Sequence, residues 1–169
     1  MKIIKKIFNK CYILENLYFK DKRGYFTEHV NTNFKVFKKE QFIIKQVNLA
    51  SSKPYVFRGF HYQMQKPQAK LVACIEGEIY DIIVDINKNS RTYMKYTTIK
   101  LKAEDKKLIF IPKGFAHGYY TKSKHAKMIY YCDEYYFKKG DRVLNFQNPK
   151  LNFKLPKFNF LISKKDISG

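Results

Sequence analysis

Cysteine is scarce: the 169 residues hold three, Cys11, Cys74 and Cys132. They stand far apart and form no C-x-x-C pair, so neither a disulfide framework nor a thiolate zinc site is indicated, and a reducing cytoplasm suits them. Long apolar runs are missing too. The opening stretch "MKIIKKIFNKCYILENLYF" is broken repeatedly by Lys, Asn and Glu, which leaves no signal-peptide core and no spanning helix. The expectation is a soluble cytoplasmic protein without a membrane partner. Acidic residues are few, 14 Asp and Glu against 34 Lys and Arg, for a formal charge of +20. Such a surplus ordinarily points to nucleic acid. Here the lysines are scattered through the chain instead of gathered in one block, so the bland explanation of lysine as a common surface residue is preferred and no nucleic-acid partner is expected. A basic field still attracts a phosphorylated small molecule. Tryptophan is absent, yet Tyr and Phe bring the aromatic content to 17%, as suits rings packed on pleated strands.

What is present speaks for strands. "KLVACIEGEIYDIIVDI", Lys70 to Ile86, reads as two β-rich runs joined by a tight hairpin at Glu76-Gly77. The polar turn "NKNSR" precedes another alternating run, "TYMKYTTIKL", and "KKLIFIP" and "AKMIYYCDEYYF" continue at short spacing. Many short strands with turn signals between them mean a sandwich, jelly roll or barrel. One short helix is expected near Asn33 to Gln41, where "NFKVFKKEQ" sets apolar residues three apart. There is no repeat, linker or second domain, so residues 1–169 are taken as a single domain.

Four polar residues sit inside or beside apolar strands: Arg58, His61, Lys70 and His117. His61 lies in "RGFHYQ", where Gly59 lets the backbone pass close to a ligand or a neighbouring strand. His117 lies in "IPKGFAHGYY", whose P-x-G-x-x-H spacing is that of the second motif of cupins, small jelly-roll barrels. A metal-binding cupin also needs an H-x-H pair and a glutamate in its first motif. The matching place reads His61-Tyr62-Gln63, so the expected fold is an all-β, cupin-like jelly-roll barrel with short peripheral helices, holding no metal and no cofactor. A barrel interior with histidine, lysine and tyrosine suits proton abstraction next to a carbonyl, which needs a base, a stabiliser for the enolate oxygen and, for inversion, a donor on the opposite face. His61 is the candidate base and Lys70 the candidate stabiliser, with a strand tyrosine as donor. Asp81, in "YDIIVDI", is expected to face the interior near His61, either as fold support or in catalysis.

Six segments in order, "FKDKRGYFTE", "QVNLASSKPYVFRGFHYQ", "AKLVACIEGEIYDIIVDI", "IPKGFAHGYY", "IYYCDEYY" and "ISKKD", resemble the dTDP-4-dehydrorhamnose 3,5-epimerases from about Tyr18 to Asp166. The resemblance implies a jelly-roll homodimer that inverts C3 and C5 of a 4-keto-6-deoxy sugar carried on a nucleoside diphosphate. It makes His61 the base, Asp166 the carboxylate that orients it, Tyr130 the proton donor across the ring and Lys70 the contact to the keto oxygen. By the same match Arg58 is a phosphate or sugar ligand. Arg23 and Glu28 reach the diphosphate and base, partly from the neighbouring subunit. Gln46, Asn48, His117, Asp141 and Lys165 are further substrate contacts, and Tyr136 stacks on the pyrimidine. Two positions depart from the family pattern: Val47 stands where a polar residue is usual and Asp141 where glutamate is common. Both are expected among the ligand contacts, which leaves a different nucleotide or sugar open. Single-centre epimerisation or 3,4-ketoisomerisation of another nucleotide-linked keto sugar, for capsule or lipopolysaccharide, is the runner-up. A non-catalytic nucleic-acid-binding β-barrel is the remote alternative.

Overall fold

The computed structural model describes residues 1–169. Twelve strands carry the architecture. The first six are β1 (Lys2–Ile7), β2 (Cys11–Glu15), β3 (Phe19–Asp21), β4 (Gly24–Phe26), β5 (Gln46–Ser52) and β6 (Val56–Gln63). The others are β7 (Lys70–Asp85), β8 (Tyr96–Lys102), β9 (Lys107–Ile111), β10 (Phe115–Cys132), β11 (Asp141–Val143) and β12 (Leu161–Ile162). Two helices of five residues each, α1 (Lys35–Lys39) and α2 (Lys164–Ser168), lie at the periphery. The first falls inside the segment where periodicity predicts a helix and buries Val36 and Phe37. Neither is long and apolar enough to cross a membrane.

Two long strands organise the rest. β7 and β10 pair antiparallel along their whole lengths, from Lys70↔Cys132 to Asp85↔Phe115. The first part of β7 takes β9 on its free edge and the second part takes β8. The matching parts of β10 take β5 and β6. The result is two sheets sharing both long strands, β1-β2-β9-β7-β10-β5 and β8-β7-β10-β6-β11, with β3 and β4 forming a separate hairpin.

The hairpin expected at Glu76-Gly77 is therefore not a hairpin. Gly77 has φ +73° inside a continuous strand, and the pairing with β10 shifts register between Thr121 and Ala126. The positive φ that glycine supplies serves a corner between sheets instead of a chain reversal. A Cβ at this position would lie 2.0 Å from the His125 carbonyl oxygen. Gly77→Ala is thus expected to cost about 2–4 kcal/mol, which lowers Tm by roughly 5–10 °C in a domain of this size. Thermal unfolding followed by circular dichroism checks this.

The apolar side chains divide into three layers. Between the sheets lie Val72, Ile79, Ile83, Ile109 and Tyr119. The outer face of the first sheet is capped by Phe37 and Phe42 from the α1 region, packed on Leu71, Ala73 and Phe110. The outer face of the second sheet is covered by the irregular segment that follows β11, where Phe146, Leu151 and Phe153 pack against Phe57, Phe60 and Ile82. That covering segment carries the chain back to β6, where Leu161 and Ile162 add as a parallel strand opposite Val56 and Phe57. It thereby delivers α2 to the rim of the barrel.

Candidate active site

Strand alternation decides which residues enter the barrel, and at β6 a bulge modifies it. Phe57 and Phe60 both pack outward, although three positions apart. Arg58 and His61, also three apart, both line the interior cavity. Between His117↔His61 and Tyr119↔Arg58, β6 uses one residue more than β10. Gly59 fills the extra place at φ +132°, and a Cβ there would lie 2.6 Å from Gly118 Cα. A side chain at Gly59 would push β6 off β10, so the glycine is what lets guanidinium and imidazole point the same way.

The cavity they line has a volume of about 330 Å³, within the range of small-ligand sites. Nine of the residues singled out from sequence border it: Asn48, Arg58, His61, Lys70 and His117 from the core strands, with Tyr130, Tyr136, Asp141 and Lys165. Gln46 stands just behind. Its amide donates to Asn48 Oδ1 at 2.8 Å and its carbonyl accepts from the Tyr136 backbone N–H at 2.7 Å, which fixes both neighbours. Arg23 and Glu28 are elsewhere. Arg23 occupies the turn between β3 and β4, fully solvated and paired with Asp21, and Glu28 accepts from Asn31. Within one chain neither reaches the cavity. Val47 is corrected as well: on β5 it alternates with Asn48, lies outside the cavity lining and is 54% exposed on the opposite face. It is no ligand contact of this cavity.

Asp166 stands behind His61. His61 Nε2 lies 2.6 Å from Asp166 Oδ1, and the Gly59 N–H donates to Oδ2 at 3.4 Å. The aspartate is buried although it lies three residues from the last one. Ser163 caps α2 by accepting the Asp166 N–H at 3.1 Å, and Asn145 ties the helix down through the Ile167 carbonyl at 2.9 Å. Burial pushes the Asp166 carboxyl up, but the hydrogen bonds from His61 and Gly59, together with Ser163, outweigh it and hold the pKa below the usual carboxylate range. An ionised Asp166 accepts a hydrogen bond from Nε2–H, a partner that favours the tautomer with Nδ1 as the basic nitrogen.

Asp81, in contrast, does not serve His61. It is fully buried and pairs with His117 Nε2 at 2.6 Å. His117 lies directly opposite His61 across the β6–β10 ladder, so two imidazole–carboxylate pairs stand side by side at the cavity wall. Among the described residues no three His, Cys, Asp or Glu side chains converge as a metal ligand set.

The remaining groups are electrostatically distinct. Burial lowers the Lys70 pKa, opposed by the fields of Cys132, Asp141 and Asp81, so its ammonium gives up a proton more readily than a surface lysine. Tyr130 moves the other way. Burial first, then the neighbouring Tyr119 and Asp81, push its phenol well above the usual value, with Arg58 opposing. It therefore stays protonated, as an acid must before it acts. At the mouth Asp141 accepts from the Tyr136 hydroxyl at 3.0 Å and from the Lys165 ammonium, setting an aromatic ring and a cation side by side.

Sequence reasoning missed Tyr62, Gln63, Gln68, Tyr119 and Cys132, which also line the cavity. Ser52 stands behind them, 2.8 Å from the Tyr119 hydroxyl. The alternation of β5 and β10, counted from Asn48 and Tyr130, carries the signal for Ser52 and Cys132.

A sequence profile described as dTDP-4-dehydrorhamnose 3,5-epimerase matches residues 5–169. A protein of that description from Shigella flexneri is 38% identical, over 100% of this chain and 94% of its own length. Among solved structures, the enzyme of that description from Elizabethkingia anophelis superposes with a TM-score of 0.88 at 37% identity, covering 99% of this chain and 94% of the other. A Legionella pneumophila epimerase solved in complex with dTDP-4-keto-L-rhamnose gives 0.87 at 33% identity, with 99% and 90% covered.

Proposed function

Because this chain belongs to the dTDP-4-dehydrorhamnose 3,5-epimerase family, we propose that it inverts C3 and C5 of dTDP-4-keto-6-deoxy-D-glucose, giving dTDP-4-keto-L-rhamnose. The observation that supports this most is the placing of an oriented base, a cation and a protonated phenol around one cavity: His61 with Asp166, Lys70, and Tyr130. His61 removes the proton next to the C4 ketone. Lys70 stabilises the enolate oxygen, and Tyr130 returns a proton to the other face of the carbon. Arg58 and Lys165 supply positive charge for the diphosphate, and Tyr136 offers its ring to the pyrimidine. None of these steps calls for a metal.

Incubation with dTDP- and GDP-linked 4-keto-6-deoxyhexoses in heavy water, with and without EDTA, tests the proposal. Deuterium at both C3 and C5 of the dTDP sugar, unchanged by EDTA, is the expected NMR result. Exchange at one centre alone, or preference for the GDP sugar, overturns the substrate and product named here.

The same reading makes the protein a homodimer. The β3–β4 hairpin holds Phe19, Tyr25 and Phe26 at 61–70% exposure, and Val47, Leu49 and Ile75 leave apolar surface on the outer face of the first sheet. A hairpin that crosses to a second copy covers such surface and carries Arg23 to the other cavity. Mixing Arg23→Ala with His61→Ala chains then restores one complete site per mixed dimer. The expected recovery is about a quarter of wild-type activity after random exchange, since half the dimers are mixed and each has one working site. Two inactive parents with no recovery on mixing show that Arg23 acts within its own chain.

A further inference from the structure

Tyr136 lies in the stretch Glu134 to Phe137, which follows β10 and belongs to no strand or helix, and both Tyr135 and Tyr136 are exposed. Irregular backbone at a surface ordinarily takes its hydrogen bonds from water. Here three glutamines take that place: Gln46 on β5, Gln63 at the end of β6 and Gln68 in the loop before β7. Gln68 donates to the Glu134 carbonyl at 2.6 Å, and the Tyr136 N–H goes to Gln46 at 2.7 Å. Gln63 holds the residues on either side, donating to the Tyr135 carbonyl at 3.2 Å and accepting the Phe137 N–H at 2.6 Å. Four consecutive residues are thus bound through their backbone. Gln63 is buried, and its amide nitrogen donates in addition to the Lys66 carbonyl at 2.7 Å. The partners fix the setting of this amide, because turning it over would put oxygen against two carbonyls and nitrogen against an N–H. The far end of the Tyr136 ring is held from the same rung of the barrel. Asp141, which accepts from the Tyr136 hydroxyl at 3.0 Å, stands directly opposite Gln63 in the β6–β11 pairing.

We propose that Gln63, supported by Gln46 and Gln68, is a positioning residue that holds the Tyr136 ring ready to receive the pyrimidine of the nucleotide. The inference rests on the stacking role given to Tyr136 above. A ring on a free loop has to be ordered each time a nucleotide binds, and that ordering weakens the affinity, whereas a ring already held loses little freedom. The three hydrogen bonds of the Gln63 amide all go to backbone groups, so Gln63 acts on the nucleotide through Tyr136. The segment "RGFHYQ" therefore carries two tasks on one strand: His61 faces the sugar carbon, and two positions later Gln63 sets the platform for the base.

Gln63→Met keeps the length and approximate volume of the side chain and removes all three hydrogen bonds. Calorimetric titration with dTDP and, separately, with inorganic pyrophosphate distinguishes binding of the base from binding of the phosphates. The expected result is a dTDP Kd raised about tenfold, within the range of a lost base–aromatic stack, with pyrophosphate affinity unchanged. Tyr136→Leu should show the same pattern. Adding Gln63→Met to Tyr136→Leu should weaken dTDP little further, because the glutamine then has no ring to hold. Gln68→Met removes the bond to Glu134 alone; a smaller loss of the same kind is expected, and it carries the comparison if the thermal midpoint shows that Gln63→Met folds poorly. Equal weakening of dTDP and pyrophosphate, losses that multiply in the double variant, or full dTDP affinity in Gln63→Met where Tyr136→Leu has lost it each overturn the positioning role. Full dTDP affinity in Tyr136→Leu instead overturns the stacking on which it rests, so the two failures are distinct.

Discussion

His61→Asn is expected to lower both turnover and solvent-deuterium uptake by about 10²-fold or more, the usual scale of a lost general base. Asparagine is shorter than the ring and gives up the Nε2 contact to Asp166 along with the basic nitrogen, while Ser163 and Asn145 keep α2 anchored. Exchange and inversion fall together because both begin with the same C–H bond broken at Nδ1. The carboxylate partner sharpens the test. Asp166 lies below the ordinary carboxylate range in the folded protein, so the stability it contributes is complete above the unfolded value, about 3.9. That contribution is lost only as pH falls through the lower folded value. At neutral pH the dyad is intact, and a defect in His61→Asn reports on the base itself. Normal exchange by the variant would exclude His61 as the base and turn attention to His117, whose pairing with Asp81 gives it the same orientation by a carboxylate.

Tyr130→Phe is expected to separate the two events that His61→Asn abolishes together. The base and Lys70 remain, so the enolate still forms and the carbon still takes up deuterium, returned on the face from which the proton left. Net inversion falls by about 10²-fold or more for want of a donor on the opposite face. Phenylalanine keeps the ring that packs edge-on against His117 at a centroid distance of 5.9 Å, which limits the chance that a packing defect mimics the effect. NMR of recovered substrate and product in heavy water distinguishes exchange with retention from inversion. Inversion at the wild-type rate would show that the proton comes from another group.

The barrel and four residues of its cavity lining were legible from local signals, while Asn48, Tyr130, Tyr136, Asp141 and Lys165 came only with the family resemblance. Alternation marked the strands, and polar residues inside apolar runs marked Arg58, His61, Lys70 and His117. What stayed hidden depends on contacts distant along the chain. Nothing near Asp81 says that its partner is His117, 36 positions away, instead of His61. Gly77 signalled a positive φ correctly, but whether the chain reverses or merely turns a corner is settled by strands that lie far from it in sequence. Val47 was misjudged for a simpler reason: its neighbours Gln46 and Asn48 drew attention, while the two-residue period of a strand sends it to the other face. The hydroxyls of Ser52 and Tyr119 carry no motif, and only the meeting of β5 with β10 brings them together.

The bulge at Gly59 has a consequence for how this site can change over evolutionary time. A strand keeps a parity: every odd step faces one way and every even step the other. The extra residue at Gly59 flips that parity once, and the whole polar wall of the cavity downstream of Arg58 is written in the flipped phase. Straightening the strand with every residue kept would not remove one contact; it would exchange inside and outside beyond Arg58, turning Phe60 toward the ligand and His61 away from it. Point substitutions can therefore tune the chemistry on either side of the glycine, but no gradual series of them leads across it. The arginine, the glycine and the histidine are inherited as one unit of phase, and recruiting this barrel to a new substrate has to work around that unit instead of through it.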